Sequence, residues 1–383
     1  MKNILFVHAS ADLYGSDRSL YNLIKNLDKT QYRPFILLPY KGPLMDLLCR
    51  VENTGVFVHD FAVLRRKNFS MTGMIQYFVS LLGSVIRICR LIRSNNITVV
   101  YTNTSVVFPG AIAAKLCGIK SIWHIREILQ EKPMVNKVLR TIIDKFSDVI
   151  IVNSQATKES VMGKNPQKIK VIYNAIDVSS NIAADSKNEF KERYKIKDEE
   201  LIVGMAGRIN RWKGQKLFID MAAEVVRYKK NVKFVIAGDT FSGEESLLEN
   251  LKEYVAAKQI EASVIFTGNI KNMNEFYSAL DIFVLPSIKP EPFGLVVLEA
   301  MSKGIPVVAT NHGGPVEIID DGEDGFLVDH RDCLQMSKII LTLLDDKNLR
   351  DRIGEKAKEK PIRNFSMQKY VSQIEDTLFR LNA

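Results

Sequence analysis

The sequence predicts an α/β protein built from two doubly wound parallel-sheet domains of Rossmann-like type. Three observations carry this expectation. Apolar runs of strand length alternate with helix-length patterns almost throughout. Runs such as Ile202-Val203-Gly204-Met205-Ala206 and Phe234-Val235-Ile236-Ala237 lack an alternating polar face, as strands buried on both sides do. A polar stretch from Ser179 to Glu200 interrupts the series. Strands separated by helices of about ten residues or more imply right-handed βαβ units. A length of 383 residues fits two domains at about 150 residues each.

Taken in order, the first half is expected to hold strands at Ile4–His8, Pro34–Leu38, Val56–His59, Thr98–Tyr101, Ser121–His124, Val149–Asn153 and Lys170–Tyr173. The second half is expected to hold strands at Leu201–Ala206, Lys233–Ala237, Ser263–Thr267, Ile282–Leu285, Pro306–Ala309 and Gly325–Val328. The expected domains are residues 1–178 and 179–361, with a last helix, 362–383, crossing back to the first domain. Ligands of such sheets sit at the carboxyl ends of the strands, so the residues just after each strand are the candidate site.

Composition narrows the class. The hydrophobic fraction is 46%, enough for two cores without disulfide staples. Cys49, Cys89, Cys117 and Cys333 are scattered and form no Cys-x-x-Cys pair, so they read as reduced thiols, with no metal site expected. The net charge of +9 comes without a block of consecutive basic residues, which argues against a nucleic-acid partner. Lys2 to Val7 is too short an apolar run for a signal peptide and reads as the first strand. A cytoplasmic protein is expected.

Two strand exits in the second half carry charge. Gly207-Arg208-Ile209-Asn210-Arg211-Trp212-Lys213-Gly214 follows one strand and leads into a helix. Arg208 and Lys213 suit a diphosphate, the first by forked hydrogen bonds and the second as a point charge. They would stabilise charge growing on a leaving group. A solvated basic loop is the alternative. The segment from Pro290 to Met301 contains Glu291, Phe293, Gly294, Leu295 and Glu299. A helix should begin near Phe293 or Gly294 and stop at Gly304, leaving amides to face an anion. Glu299 falls among apolar residues, where a buried carboxylate needs partners such as a ribose hydroxyl pair. Pairing of Glu299 with a neighbouring cation, and simple exposure of Glu291, are the alternatives.

Glu291 and Glu299 with Phe293-Gly294-Leu295 between them resemble the signature of retaining GT-B glycosyltransferases of family GT4. The Arg208 to Gly214 segment, Gly313-Gly314-Pro315-Val316-Glu317 and Asp324-Gly325-Phe326-Leu327-Val328 resemble the same family. The resemblance implies that Arg208 and Lys213 hold the diphosphate, Glu299 the ribose and Glu291 the sugar. It implies that amides of Phe293, Gly294 and Leu295 face sugar and phosphate. It places the base on the main chain of Thr267 to Ile270, Gly268 and Ile270 included. The co-substrate is then a nucleotide-diphosphate sugar, UDP-linked rather than GDP-linked, and no separate cofactor is expected.

In the first half, Gly15 follows the first strand and resembles the family's glycine-bearing loop, although Tyr14 stands where a second Gly is usual. Ser16 is the expected helix N-cap, and a plain left-handed turn at Gly15 is the alternative. His124 ends an expected strand, and the family places a His near the donor sugar. Asn103-Thr104 and Glu127 are expected to help shape the acceptor pocket, Ser154 to cap a helix, and Asn174-Ala175-Ile176-Asp177 to form the inter-domain hinge.

The resemblance implies a retaining, same-face transfer to a hydroxyl of a saccharide or lipid-linked acceptor, as in cell-surface polysaccharide assembly. The sequence has no Asp-x-Asp, and Arg208, Lys213 and the helix dipole supply positive charge, so the transfer is expected to be metal-independent. Leu64-Arg65-Arg66-Lys67 precedes a pattern from Met71 to Arg93 in which Arg87, Arg90 and Arg93 recur. That pattern reads either as a core helix or as an interfacial helix touching the inner face of a membrane. Competing functions are a sugar-nucleotide epimerase of GT-B-like fold and a non-catalytic nucleotide-sugar-binding subunit.

Overall fold

The computed structural model describes residues 1–65, 68, 70–129, 133–177, 186–241 and 243–381, with backbone alone at 71 and 186. Arg66, Lys67 and the expected boundary at 178/179 lie outside them. The chain divides into two compact units, Met1–Ala175 with Met367–Ala383, and Ile176–Ser366. The crossings therefore fall at 175/176, inside the expected hinge segment, and at 366/367.

The first unit holds a seven-stranded sheet. Its strands are β1 (Lys2–His8), β2 (Tyr32–Leu38), β3 (Gly55–Val58), β4 (Ile97–Asn103), β5 (Lys120–Ile125), β6 (Val149–Val152) and β7 (Ile169–Val171). They lie in the order β3-β2-β1-β4-β5-β6-β7, all pairs parallel. Along β1, Ile4 and Phe6 enter one core and Leu5 and Val7 the other. That two-residue alternation between two buried faces is why the run is apolar throughout. The helix Met367–Arg380 buries Met367, Tyr370, Val371, Ile374, Thr377 and Leu378, a stripe at helical period. It packs in the same core as Ile4, Phe6, Leu20 and Tyr101.

The second unit holds β8 (Leu201–Ala206), β9 (Val232–Ala237), β10 (Val264–Gly268), β11 (Ile282–Leu285), β12 (Val307–Thr310) and β13 (Phe326–Val328). Their order is β10-β9-β8-β11-β12-β13, again parallel. Its core joins β-strand residues such as Val203, Phe234 and Val308 to Phe218, Met221 and Ile340 from helices. In each sheet the strand order reverses once, between β1 and β4 and between β8 and β11. Loops leaving the two strands at such a reversal splay apart and open a crevice for ligand.

The first helix corrects the expected cap. It spans Gly15–Asn26 with Tyr14 as N-cap, so Ser16 lies inside it. The cause is Asp17, whose Oδ2 accepts the Tyr14 backbone N–H at 2.8 Å, a carboxylate three residues on doing what a cap side chain does. Gly15 opens the helix and makes no left-handed turn. Ser154 does cap its helix, accepting from the Thr157 N–H at 2.9 Å.

Candidate active site

In the second unit, the exits of β8 and β11 flank the reversal and carry the predicted residues. Gly207 leaves β8 at φ 150°, and the Lys213 stem lies 3.8 Å from where a Cβ on it would stand. Asn210 Oδ1 accepts the N–H groups of Trp212 and Lys213 at 3.0 and 2.9 Å, a side-chain turn that bends the loop back. Gly214, at φ 78°, caps the helix Gln215–Tyr228. The loop thereby aims Lys213 across the reversal, where its Nζ meets Glu291 Oε2 at 2.6 Å. Ser287 Oγ donates to the same oxygen at 3.3 Å. The other two ammonium hydrogens of Lys213 have no acceptor among the described residues.

Sequence reading gave Lys213 and Glu291 separate ligand contacts; the fold joins them as a half-buried ion pair. Glu291 is not merely exposed. Its carbonyl accepts the Gly314 N–H at 2.7 Å, and a Cβ on Gly314 would stand 2.4 Å from the Phe293 carbonyl oxygen. The Gly313-Gly314 pair thus lets the β12 exit press against the Glu291 to Phe293 backbone. Gly294, at φ 98°, is the N-cap of the helix Leu295–Met301, with Phe293 buried behind it and Leu295 at its first position. Gly304, at φ 72°, follows that helix as expected.

Glu299 is half-buried rather than buried, and it accepts the Tyr277 hydroxyl at 2.6 Å. Arg208 lies with its guanidinium carbon 3.5 Å from the centroid of the Phe241 ring, a close cation–π contact. Phe241 follows β9, the strand between the Arg208 exit and the β10 exit. The β9 and β10 exits are joined by the Gly238 N–H to Gly268 carbonyl bond at 2.9 Å. Gly268 turns at φ 64° and Ile270 is buried. Sequence reading missed Phe241 and Tyr277. An aromatic just past a Gly-Asp strand exit was the available signal for the first; the second sits inside a helix and gave none.

The first unit departs further from expectation. β5 continues through Ile125, so His124 lies within the strand and is wholly buried, not displayed at its exit. Burial, and then the neighbouring Arg126 charge, push its pKa well below the usual histidine range. Trp123 and Ile125 occupy the opposite face, which turns His124 and Arg126 to one side. Gly15 sits beside a second buried network. His8 Nε2 contacts Asp17 Oδ1 at 2.6 Å, and Ser10 Oγ donates to the same oxygen. Burial opposes charge on Asp17, yet the His8, Ser10 and Tyr14 hydrogen bonds hold its carboxyl below the usual range. Thr104 and Glu127 bond to each other at 2.6 Å, and Asn103 Oδ1 accepts from Arg126 Nε at 2.7 Å. These residues brace the loop first, whatever else they touch.

Two sheets reversing at charged strand exits define a class, and comparison with known proteins agrees. Residues 186–360 match the family described as glycosyl transferases group 1, and residues 14–180 match glycosyltransferase family 4. The chain belongs to this glycosyltransferase family, with the GT-B fold. The crystal structure of Anabaena HepE in complex with UDP and glucose superimposes with a TM-score of 0.85 at 25% identity, covering 99% of this chain and 100% of that one. The Escherichia coli UDP-Gal:alpha-D-GlcNAc-diphosphoundecaprenol alpha-1,3-galactosyltransferase is 25% identical over 378 residues, 93% of this chain and 94% of its own length. The Bacillus anthracis N-acetyl-alpha-D-glucosaminyl L-malate synthase is 30% identical over 251 residues, 65% of this chain but only 63% of its own length.

Proposed function

We propose that the protein transfers a sugar, with retention at the anomeric carbon, from a UDP-sugar to a hydroxyl of a saccharide or lipid-linked saccharide. The observation that carries this is the Lys213–Glu291 pair spanning the β8/β11 reversal, with Arg208 on the same exit. Lys213 keeps two donors for a diphosphate, and Arg208 adds the fork. Glu291, fixed by Lys213 and Ser287, suits sugar hydroxyls, and Glu299 beside Tyr277 suits a ribose. UDP and glucose in the HepE complex, and the undecaprenol-linked acceptor named for the E. coli relative, support donor and acceptor class. The positive charge on the leaving group's side comes from side chains, so the transfer needs no divalent metal. The test is a panel of UDP- and GDP-sugars with product NMR, run with and without chelator. Saccharide transfer from a UDP-sugar that chelator leaves intact supports the proposal. Isomerised nucleotide sugar alone would point to an epimerase, and binding without turnover to a carrier subunit.

The acceptor side adds a membrane. The helix Met71–Ser94 is long and apolar enough to span one, but Tyr77, Val85, Ile88 and Ile92 are buried in the first unit's core. Its opposite face carries Ile75, Phe78, Val79, Leu82 and Ile86, each more than half exposed. Arg87, Arg90 and Arg93 are exposed further along. An apolar stripe followed by cations fits the interface of an anionic bilayer, so the enzyme works at the cytoplasmic face of the cell membrane. Co-sedimentation with anionic vesicles at low salt is expected, and Phe78→Glu with Leu82→Glu is expected to abolish it. Absence of binding by the unaltered protein at low salt rules the contact out.

A further inference from the structure

Arg126 is buried, and its guanidinium has no carboxylate partner among the described residues. A guanidinium carries five N–H donors and no acceptor, and here all five are used. Nε donates to Asn103 Oδ1 at 2.7 Å. Nη1 donates to Ser19 Oγ at 2.8 Å and Asn174 Oδ1 at 2.6 Å. Nη2 donates to the Tyr370 hydroxyl at 2.9 Å and lies 3.3 Å from His124 Nδ1. The five partners come from separate segments, including both stretches of chain beside the crossings at 175/176 and 366/367.

The contact with His124 has a chemical consequence. The Tyr101 hydroxyl also lies on Nδ1, at 2.5 Å. A hydroxyl can donate or accept, so Tyr101 alone leaves the ring's tautomer open. A guanidinium can only donate. Nδ1 must therefore present its lone pair, and the ring proton resides on Nε2. That Nε2–H is enclosed and has no acceptor among the described residues. A buried donor left unpaired costs about 1–3 kcal/mol, which a ligand oxygen at that point would recover. The titratable groups against the ring are Tyr101 on β4 and Arg126 just past β5, with Tyr370 of the last helix on the far side of Arg126 Nη2; His8 and Asp17 connect to it through Asn103 and Arg126. None is a carboxylate, so among the described residues no anion stabilises an imidazolium there.

We propose that Arg126 is a positioning residue that holds His124 as the neutral Nε2–H tautomer, making His124 a fixed hydrogen-bond donor to a substrate hydroxyl oxygen and not a proton acceptor. This rests on the proposed transferase reading, which supplies a substrate rich in hydroxyl oxygens.

The test labels the ring nitrogens of the five histidines with nitrogen-15 and assigns His124 by its loss in His124→Gln. The expected result is a pyridine-type Nδ1 and a pyrrole-type Nε2, unchanged through the neutral pH range. In Arg126→Gln the amide can accept as well as donate, so the second tautomer should appear. Turnover of that variant relative to the unaltered enzyme should fall several-fold above the imidazole pKa. It should recover on acidification, when both ring nitrogens carry protons. A histidine acting as base would show the opposite slope. Arg126→Lys, still donor-only, should keep the tautomer and most of the turnover. A proton on Nδ1 in the unaltered enzyme, or an Arg126→Gln variant with unchanged tautomer and flat relative profile, overturns the assignment of Arg126. Unchanged kinetics in His124→Ala instead overturn the placement of substrate at this ring, whichever tautomer is observed; otherwise a loss of about tenfold or more is expected for one donor.

Discussion

Lys213→Ala is expected to lower kcat/KM for the nucleotide sugar by about two to three orders of magnitude, the usual loss when one preorganised donor to a developing oxyanion is removed. The side chain does two things at once. It holds the Glu291 carboxylate at 2.6 Å, and it offers two further donors to an approaching phosphate. Alanine removes both, and leaves Glu291 with Ser287 and solvent. Because both partners are partly exposed, the ion pair itself adds little to stability, so the melting temperature should barely move while turnover collapses. Glu291→Gln separates the roles. The amide oxygen still accepts from Lys213, so the ammonium stays in place, but the carboxylate's second acceptor position, proposed for sugar hydroxyls, becomes a donor. That variant should lose less than Lys213→Ala. Arg208→Ala should match Lys213→Ala in scale. Normal turnover in both the Arg208 and Lys213 variants would remove the diphosphate from this loop altogether.

Gly214→Ala should be the most destabilising single methyl in the second unit's site. Gly214 sits at φ 78°, and a Cβ there would stand 1.7 Å from the Pro286 carbonyl oxygen. The left-handed backbone alone costs an alanine about 1–2 kcal/mol. Overpacking against rigid backbone adds about 1–3 kcal/mol. The sum, roughly 2–5 kcal/mol, corresponds to a drop in melting temperature of roughly 5–15 °C for a unit of this size. Gly322→Ala is the control. It has φ 75° in the same unit but nothing within 4 Å of the added Cβ, so only the backbone cost applies. Equal melting shifts in the two variants would defeat the steric argument. The clash also moves function, because the loops it separates carry Lys213 on one side and Ser287 on the other, and are tied by the Ile288 N–H to Trp212 carbonyl bond at 2.9 Å.

The strands were legible because a parallel strand covered on both faces has no solvent side for a polar stripe, so its run reads as apolar at successive positions. Errors of a residue or two at their ends had one costly instance. Ile125 belongs to β5, which moves His124 from the rim into the interior. Arg208 and Lys213 stood out as candidates because charge just past a strand exit has few structural uses, Gly294 because it opens a helix, and Glu299 because it is a carboxylate among apolar helix residues. Their partners were not. Lys213 and Glu291 are 78 residues apart, and only the strand order that sets β8 beside β11 brings them together. Tyr370 reaches Arg126 across 244 residues, a contact no local pattern encodes. Ser16 misled because the preference for a hydroxyl cap is statistical, whereas Asp17 is held in place by His8 and Ser10.

The return of the helix Met367–Arg380 to the first unit fixes an order of events during synthesis. Ile374 and Leu378 are fully buried beside Ile4 and Phe6, so the unit that is begun first lacks part of its interior until the chain has been made past Leu378. The stretch Ile176–Ser366 is uninterrupted and has its whole core available earlier. Domains usually complete in the order in which they are synthesised; here the later-made half can close first, while the earlier half waits on the ribosome with part of one face of its sheet uncovered.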